Sequence, residues 1–365
     1  MGDGRHLLLV GGGHAQVEVL RKWAQAPLEG WRVSLLTREV LSPYSGMLPG
    51  VIAGLYRTEE AVIDTRALAA RAGATLILDS ATGIDLPGRR LHRAAGPHLA
   101  FDLLSIDTGA TPDMGRTMGA ARHALPLKPI DALLPRLDTL LQSVRPGMRL
   151  AVVGGGAAGV EIALALRARL PDAVILLVAG AAGLLPGFPA GLRARVVRAM
   201  TSRRVTLDIG ADVREVTENA LHFADREMLA VDATIWATGA AAAPWLAETG
   251  LARDPPGFLR VDEHLRALGH SHIFAAGDVA SWADGPLPKA GVFAVRQGPV
   301  LAANLRAAAQ GGALIRYRPQ THYLILLSLG DGHAIGTRNG LVAEGRWVWR
   351  LKDWIDRTFM ARYKA

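Results

Sequence analysis

The sequence predicts an α/β protein built from two Rossmann-like folds followed by a small C-terminal cap. Three observations carry that class. A glycine-rich turn, Val10-Gly11-Gly12-Gly13-His14-Ala15, follows the apolar run Leu7 to Val10 and opens a helix-like segment. A second turn, Val153-Gly154-Gly155-Gly156-Ala157-Ala158-Gly159, does the same after Leu150 to Val153. Between and beyond them, strand-like and helix-like segments alternate, as doubly wound parallel sheets require. A helix starting at such a turn offers unpaired N–H groups and a positive dipole end, which suit a pyrophosphate. Two of them predict two nucleotides meeting face to face.

Taken in order, residues 5–10 read as a strand, 14–25 as a helix and 31–37 as a second strand. A loop rich in turn formers follows, from Ser42 to Gly50. Residues 64–72 have helical character, and 75–78 and 100–106 read as strands. The second of these ends in the small-residue turn Asp107-Thr108-Gly109-Ala110. From Pro112 to Pro129 periodicity is lost, which suggests a crossover between domains. A helix at 131–143 leads into the second strand–turn–helix–strand unit, 149–178. Segments 204–208, 211–216, 219–223 and 227–237 read as short strands of one sheet, ending at Trp236-Ala237-Thr238-Gly239. The strand Ile273 to Asp278 and a helix near 291–309 complete the pattern. The expected division is a discontinuous first domain (1–112 and 259–315), an inserted second domain (113–258) and a cap (316–365).

With 365 residues, half of them apolar, and a mean hydropathy of +0.20, a sizeable core is easily built. No apolar run is long enough to span a membrane, and the start Met1-Gly2-Asp3-Gly4 lacks a signal-peptide layout. A cytoplasmic location is expected. Cysteine is absent, which excludes thiol–disulfide exchange, a thiolate–flavin adduct and a cysteine-ligated metal. The formal charge of +8 is read as general arginine usage, with no nucleic-acid partner.

In the first loop Gly11 makes the tight turn and Gly13 admits a diphosphate, but the third fingerprint position is Gln16. The acid expected after the second strand is missing; Thr37 and Arg38 stand there. The second loop is complete: Gly154, Gly156, Gly159, then Glu161. Its following strand ends Val178-Ala179-Gly180, with no acid for a ribose and no arginine before Arg193 for a 2′-phosphate. The choice between NADH and NADPH stays open. Asp278, beside Gly277 at a strand end, suits a polyol such as ribityl. Lys289, with the helix that begins near Gly291, suits a reduced, anionic flavin. His264, His270 and His272 read as solvated loop residues, and no metal site is expected.

These residues resemble the pyridine nucleotide–disulfide oxidoreductase superfamily, the two-dinucleotide-binding flavoproteins of glutathione-reductase-like fold. The likeness covers essentially the whole chain. Pro43-Tyr44-Ser45-Gly46-Met47-Leu48-Pro49-Gly50 and Lys128-Pro129-Ile130 resemble a narrower set, found alone or fused ahead of selenophosphate synthetase and similar to type II NADH dehydrogenases. The resemblance implies that Gly11, Gly13 and Asp278 bind FAD, with the 43–49 loop beside its isoalloxazine ring. It implies that Gly154, Gly156, Gly159 and Glu161 receive NAD(P)H. His14, Ala15, Pro43, Met47, Thr108, Gly109, Gly239, Gly277 and Gly291 are expected to line the two cofactors. Glu161 and Lys289 are the expected catalytic residues.

The segment from Arg346 to Met360 has helical spacing. Trp347, Leu351, Trp354, Ile355 and Phe359 are expected on one face, with Arg350, Lys352, Asp353, Asp356 and Arg357 around the rest. Aromatic residues flanked by basic ones fit a helix lying in a membrane interface. Packing on the chain's own core or in a homodimer is the competing reading. The expected activity is hydride transfer from NAD(P)H to FAD, then electron transfer to a non-thiol acceptor such as a quinone, at or near the inner face of the cytoplasmic membrane. A reductase of selenium metabolism and a nucleotide-sensing flavoprotein without turnover are the alternatives.

Overall fold

The computed structural model describes residues 4–115, 117–128 and 130–364. The first three residues of the N-terminal stretch, Arg116 and Pro129 of the crossover, and Ala365 lie outside the described residues. Two five-stranded parallel sheets organise the chain. The first runs Ile273–Ala275, Leu103–Ile106, Arg5–Val10, Trp31–Thr37, Thr75–Leu78. Its central strand buries Leu7, Leu8, Leu9 and Val10 on both faces, as a parallel sheet covered on both sides must. The second runs Ala124–Pro126, Ala233–Trp236, Arg149–Val153, Val174–Ala179, Val205–Ile209.

The two sheets are built alike. In each, the glycine turn follows the central strand and opens a helix, His14–Gln25 or Ala157–Arg169. In each, a three-stranded antiparallel sheet precedes the strand that closes against the central one. Only the second of these small sheets has a counterpart in the sequence-based expectation, and there the grouping needs correction. Val205–Ile209 and Ala233–Trp236 belong to the parallel sheet, whereas Val213–Val216, Ala220–Phe223 and Leu229–Ala230 pair antiparallel among themselves. Tight turns at Glu218-Asn219 and near Asp225-Arg226 favour pairing with the next strand in sequence. The aperiodic crossover also holds an edge strand, Ala124–Pro126, paired parallel to Ala233–Trp236. The helix Ala190–Ser202 was not expected; it buries Leu192, Val196, Ala199 and Met200 at helical spacing.

The chain ends in an antiparallel sheet, Ile325–Ser328, Ala334–Arg338 and Leu341–Gly345, and the helix Arg346–Ala361. The expected faces of this helix are corrected. Its inward face carries Val348, Lys352, Asp356, Phe359 and Met360, while Trp347 and Trp354 are 60% and 64% exposed. Two charged residues turn inward because each finds a partner there, and the tryptophans are left outside.

Candidate functional site

At the first glycine loop, the chain closes tightly on the end of strand Leu103–Ile106. A Cβ at Gly11 would stand 2.3 Å from Asp107 O, and one at Gly13 2.3 Å from the Asp107 carboxyl. That carboxyl accepts the Ala15 and Gln16 N–H groups at 2.9 and 3.3 Å, so it caps the helix His14–Gln25 from inside. A Cβ at Gly277 would also meet Asp107, 2.3 Å from Oδ1. Asp107 therefore lies where the glycine loop, the helix start and the Gly277-Asp278 strand end converge. Burial raises its carboxyl to about 7 against the two N–H donors, and nearby Asp278 adds to the rise. Gln16, the odd fingerprint residue, is buried and donates from Nε2 to Ser105 O at 2.7 Å. A hydrogen bond to the neighbouring strand replaces the close packing that glycine gives.

Asp278 Oδ2 accepts Lys128 Nζ at 2.5 Å, joining the crossover to the first sheet's edge. Lys289, expected at the flavin, donates to Ala280 O at 2.7 Å and stacks over Phe258 at 3.8 Å. Burial lowers its ammonium to about 8. Lys128 is thus the lysine bonded to Asp278; the sequence marks it as part of the Lys128-Pro129-Ile130 motif but gives it no role. His14 Nε2 and Thr108 Oγ1 are buried without a hydrogen-bond partner among the described residues. These orphaned atoms flank the glycine loop at the carboxyl edge of the sheet, and their need for partners fits a bound dinucleotide.

The 43–50 loop links both folds. A Cβ at Gly291 would touch Ser45 Oγ at 3.3 Å, which sets the helix Gly291–Gln310 against the loop. Met47 is buried in the first sheet's core, whereas Leu48 and Ile52 join the core of the second. Pro43 pairs with Val62 in a short antiparallel ladder that fixes the loop's start. Tyr44 stacks on Phe359 of the C-terminal helix at 4.5 Å and receives the His14 ring edge-on at 5.4 Å.

Over that loop the C-terminal helix sets an ionic cluster. Lys352 Nζ donates to Gly46 O at 2.6 Å and to Asp356 Oδ2 at 2.7 Å. Asp356 Oδ1 accepts the Tyr44 hydroxyl at 3.2 Å, and burial with that carboxylate raises the phenol. Glu161, from the second glycine helix, accepts Ser328 N–H at 2.8 Å. Desolvation raises Glu161 to about 7, opposed by the Lys352 charge and helped by Asp356. Lys352, Asp356 and Tyr44 were not among the expected catalytic residues.

At the second loop a Cβ on Gly154 would stand 2.5 Å from Ala237 O, and one on Gly159 1.9 Å from Gly154 O. Gly156 faces open space, unlike Gly13. Ala237 thus plays the part of Asp107 without a carboxyl. Gly109 and Gly239 close the two equivalent strand ends with positive φ (+71° and +50°), and Thr111 bridges to Ala241 between them. The three histidines are half-buried, which corrects the solvated reading: His264 lies 3.8 Å from Asp262, and His272 stacks on Phe101. Among the described residues, no group of three or more His, Asp or Glu side chains is disposed to hold a metal.

Residues 5–308 match the pyridine nucleotide-disulphide oxidoreductase family. The chain belongs to this family. FAD and NAD(P)H are its cofactors. It is 30% identical over 229 residues to the NADH dehydrogenase-like protein Rv1812c of Mycobacterium tuberculosis, covering 58% of this chain and 56% of that protein. It is 28% identical over 259 residues to the demethylphylloquinone reductase NdbB of Synechocystis, covering 68% and 62%. The matches therefore span less than two thirds of either relative. Among solved structures, NDH2 of Plasmodium falciparum in complex with NADH superposes with a TM-score of 0.82 at 14% identity, over 98% of this chain and 97% of that one. At that identity the likeness speaks for the fold.

Proposed function

We propose that the chain is an FAD-dependent NAD(P)H:quinone oxidoreductase of the type II NADH dehydrogenase kind. The observation that carries this reading is the cluster Glu161, Lys352, Asp356 and Tyr44, gathered from three parts of the chain over the 43–50 loop. The demethylphylloquinone reductase among its relatives supports the acceptor class. FAD, when bound along the first glycine loop, supplies a two-electron relay between nicotinamide and acceptor. Reducing a quinone to a quinol takes two electrons and two protons, whereas NADH gives a hydride. The second proton is taken up from solvent and has to be delivered to the acceptor by an acid at the site. Glu161, raised to about 7, holds one near neutral pH. Lys352 keeps a cation beside it that favours a developing oxyanion. Residues 1–112 and 259–315 form the FAD-binding part in this reading, and 113–258 the NAD(P)H-binding part. An anaerobic titration of the purified protein with NADH, then NADPH, should bleach the flavin, and a soluble quinone should restore it. A bound flavin that neither nucleotide bleaches, or that no quinone reoxidises, overturns the proposal.

Among the described residues no helix is long and apolar enough to cross a membrane. The outward face of the C-terminal helix supports peripheral contact instead. Trp347 and Trp354 lie seven residues apart, hence on one stripe, with Arg350 between them. A quinone in a bilayer is reached most directly from such a face. Replacing both tryptophans by serine should weaken binding to anionic lipid vesicles by about a hundred- to a thousandfold, since each indole buries area worth about 2 kcal/mol. Flavin bleaching by NADH should be unchanged. Equal sedimentation of both proteins with vesicles counts against membrane contact.

A further inference from the structure

Discrimination between NADH and NADPH turns on what meets the 2′ position of the adenosine ribose. A carboxylate there accepts the hydroxyl and repels a 2′-phosphate. In a nucleotide fold that group sits at the end of the strand after the glycine helix, here Val174–Ala179, where the chain has only Gly180.

The structure brings an acid to this place from the adjacent strand. Val205–Ile209 runs parallel to Val174–Ala179, with Ile209 opposite Ala179. The chain then turns at Gly210, whose N–H donates to Ala179 O at 2.9 Å, and returns Asp212 over Gly180. Asp212 Oδ1 accepts Ala181 N–H at 3.1 Å. A Cβ at Gly180 would stand 1.9 Å from that same oxygen, so the bare backbone at 180 is what admits the carboxylate. Asp212 is nevertheless exposed.

The segment after Gly180 also rests on the second glycine loop. Leu185 N–H donates to Gly155 O at 2.7 Å, and a Cβ at Gly155 would stand 2.5 Å from Gly183 O. Asp212 and the phosphate-binding turn are thereby held in one frame at the carboxyl edge of the sheet. Arg226, a cation that follows in sequence, is committed elsewhere: it is bonded to Asp208 Oδ1 at 2.6 Å and stacked over Phe223 at 3.6 Å.

We propose that Asp212 is the ribose-reading carboxylate of the second nucleotide site and makes the enzyme select NADH over NADPH. This rests on the reading of Gly154–Gly159 as the nicotinamide nucleotide loop. The test is calorimetric titration of the full, flavin-loaded protein with NAD+ and NADP+, with flavin bleaching by NADH and NADPH as a second readout. The native protein should favour NAD+ and NADH at least about tenfold. Asp212→Ala should lose about ten- to a hundredfold in NAD+ affinity, the worth of a hydrogen bond to a charged group, with NADP+ little changed or improved. Asp212→Glu should keep the preference. If Asp212 merely holds the 180–185 segment, its loss weakens both nucleotides equally, and that result overturns the assignment. Equal binding of both nucleotides by the native protein, or a preference for NADP+, overturns it as well while leaving the nicotinamide site standing. Binding of neither nucleotide overturns both readings.

Discussion

Lys352→Met is expected to destabilise the folded protein by about 3–5 kcal/mol at neutral pH, the usual consequence of removing one partner of a buried ion pair. Lys352 and Asp356 are both buried, and the ammonium also satisfies Gly46 O in the 43–50 loop. Without it, Asp356 keeps the Tyr44 hydroxyl as its one side-chain donor among the described residues, and Glu161 loses the charge that holds its carboxyl down. Glu161 should then titrate above its present value of about 7. The double variant Lys352→Met, Asp356→Leu should recover most of the loss, because no unpaired charge is left inside. Urea denaturation of the four proteins of this cycle checks the expectation. A Lys352→Met loss below about 1 kcal/mol would mean that water reaches the cluster and screens it, as it does surface pairs.

That cluster marks where reading the sequence stops. The strands 31–37 and 75–78 and the helix 14–25 are legible residue by residue, because apolar runs bounded by turn formers admit one arrangement in a parallel sheet. The glycine turns are legible for the same reason. Their context is local. The strand Ala124–Pro126 is not, since three residues carry no period and only the partner Ala233–Trp236 makes them a strand.

The C-terminal helix shows the same limit at the site. The expected grouping sets Trp347, Trp354 and Phe359 on one face, yet Phe359 goes inward with Lys352 and Asp356 while Trp347 and Trp354 stay outward. Four residues separate Lys352 from Asp356, a spacing that reads equally as a solvated surface pair. Only the approach of Gly46 and Tyr44, some three hundred residues away in sequence, makes burial of the pair tolerable. Asp212 is hidden in the same manner. An acid scan after Val174–Ala179 ends at a glycine, and the carboxylate arrives from the turn after the next strand.

Asp107→Asn is expected to change how stability depends on pH more than any other single carboxylate replacement at the first loop. The Asp107 carboxyl is raised to about 7 in the folded protein, chiefly by burial, whereas an unfolded chain ionises it near its ordinary value of 3.8. Between those values the folded state holds a proton that the unfolded state has released, so stability falls as pH rises. The contribution is complete below about pH 4 and lost through pH 7. Its ceiling is about 4 kcal/mol, because each tenfold difference in proton affinity between the two states is worth about 1.4 kcal/mol. Asparagine keeps an oxygen for the Ala15 and Gln16 N–H groups and cannot ionise. The stability difference between Asp107→Asn and the native protein should therefore move in favour of asparagine by up to about 4 kcal/mol from pH 4 to pH 9. Glu161, also raised to about 7, contributes a slope of the same sign in both proteins and cancels in that difference. The physical root is the exchange of Ala237 for Asp107 at equivalent strand ends. Where the second loop leaves its helix N-terminus open, the first fills it with a group that is comfortable only when protonated. Anionic cofactor phosphates near the same helix start would press the carboxyl further toward the neutral form. FAD retention should accordingly weaken above pH 7 in the native protein and stay level in Asp107→Asn. Parallel pH profiles for the two proteins, in stability and in flavin retention, would mean that Asp107 is ionised in the fold and serves as an ordinary helix cap.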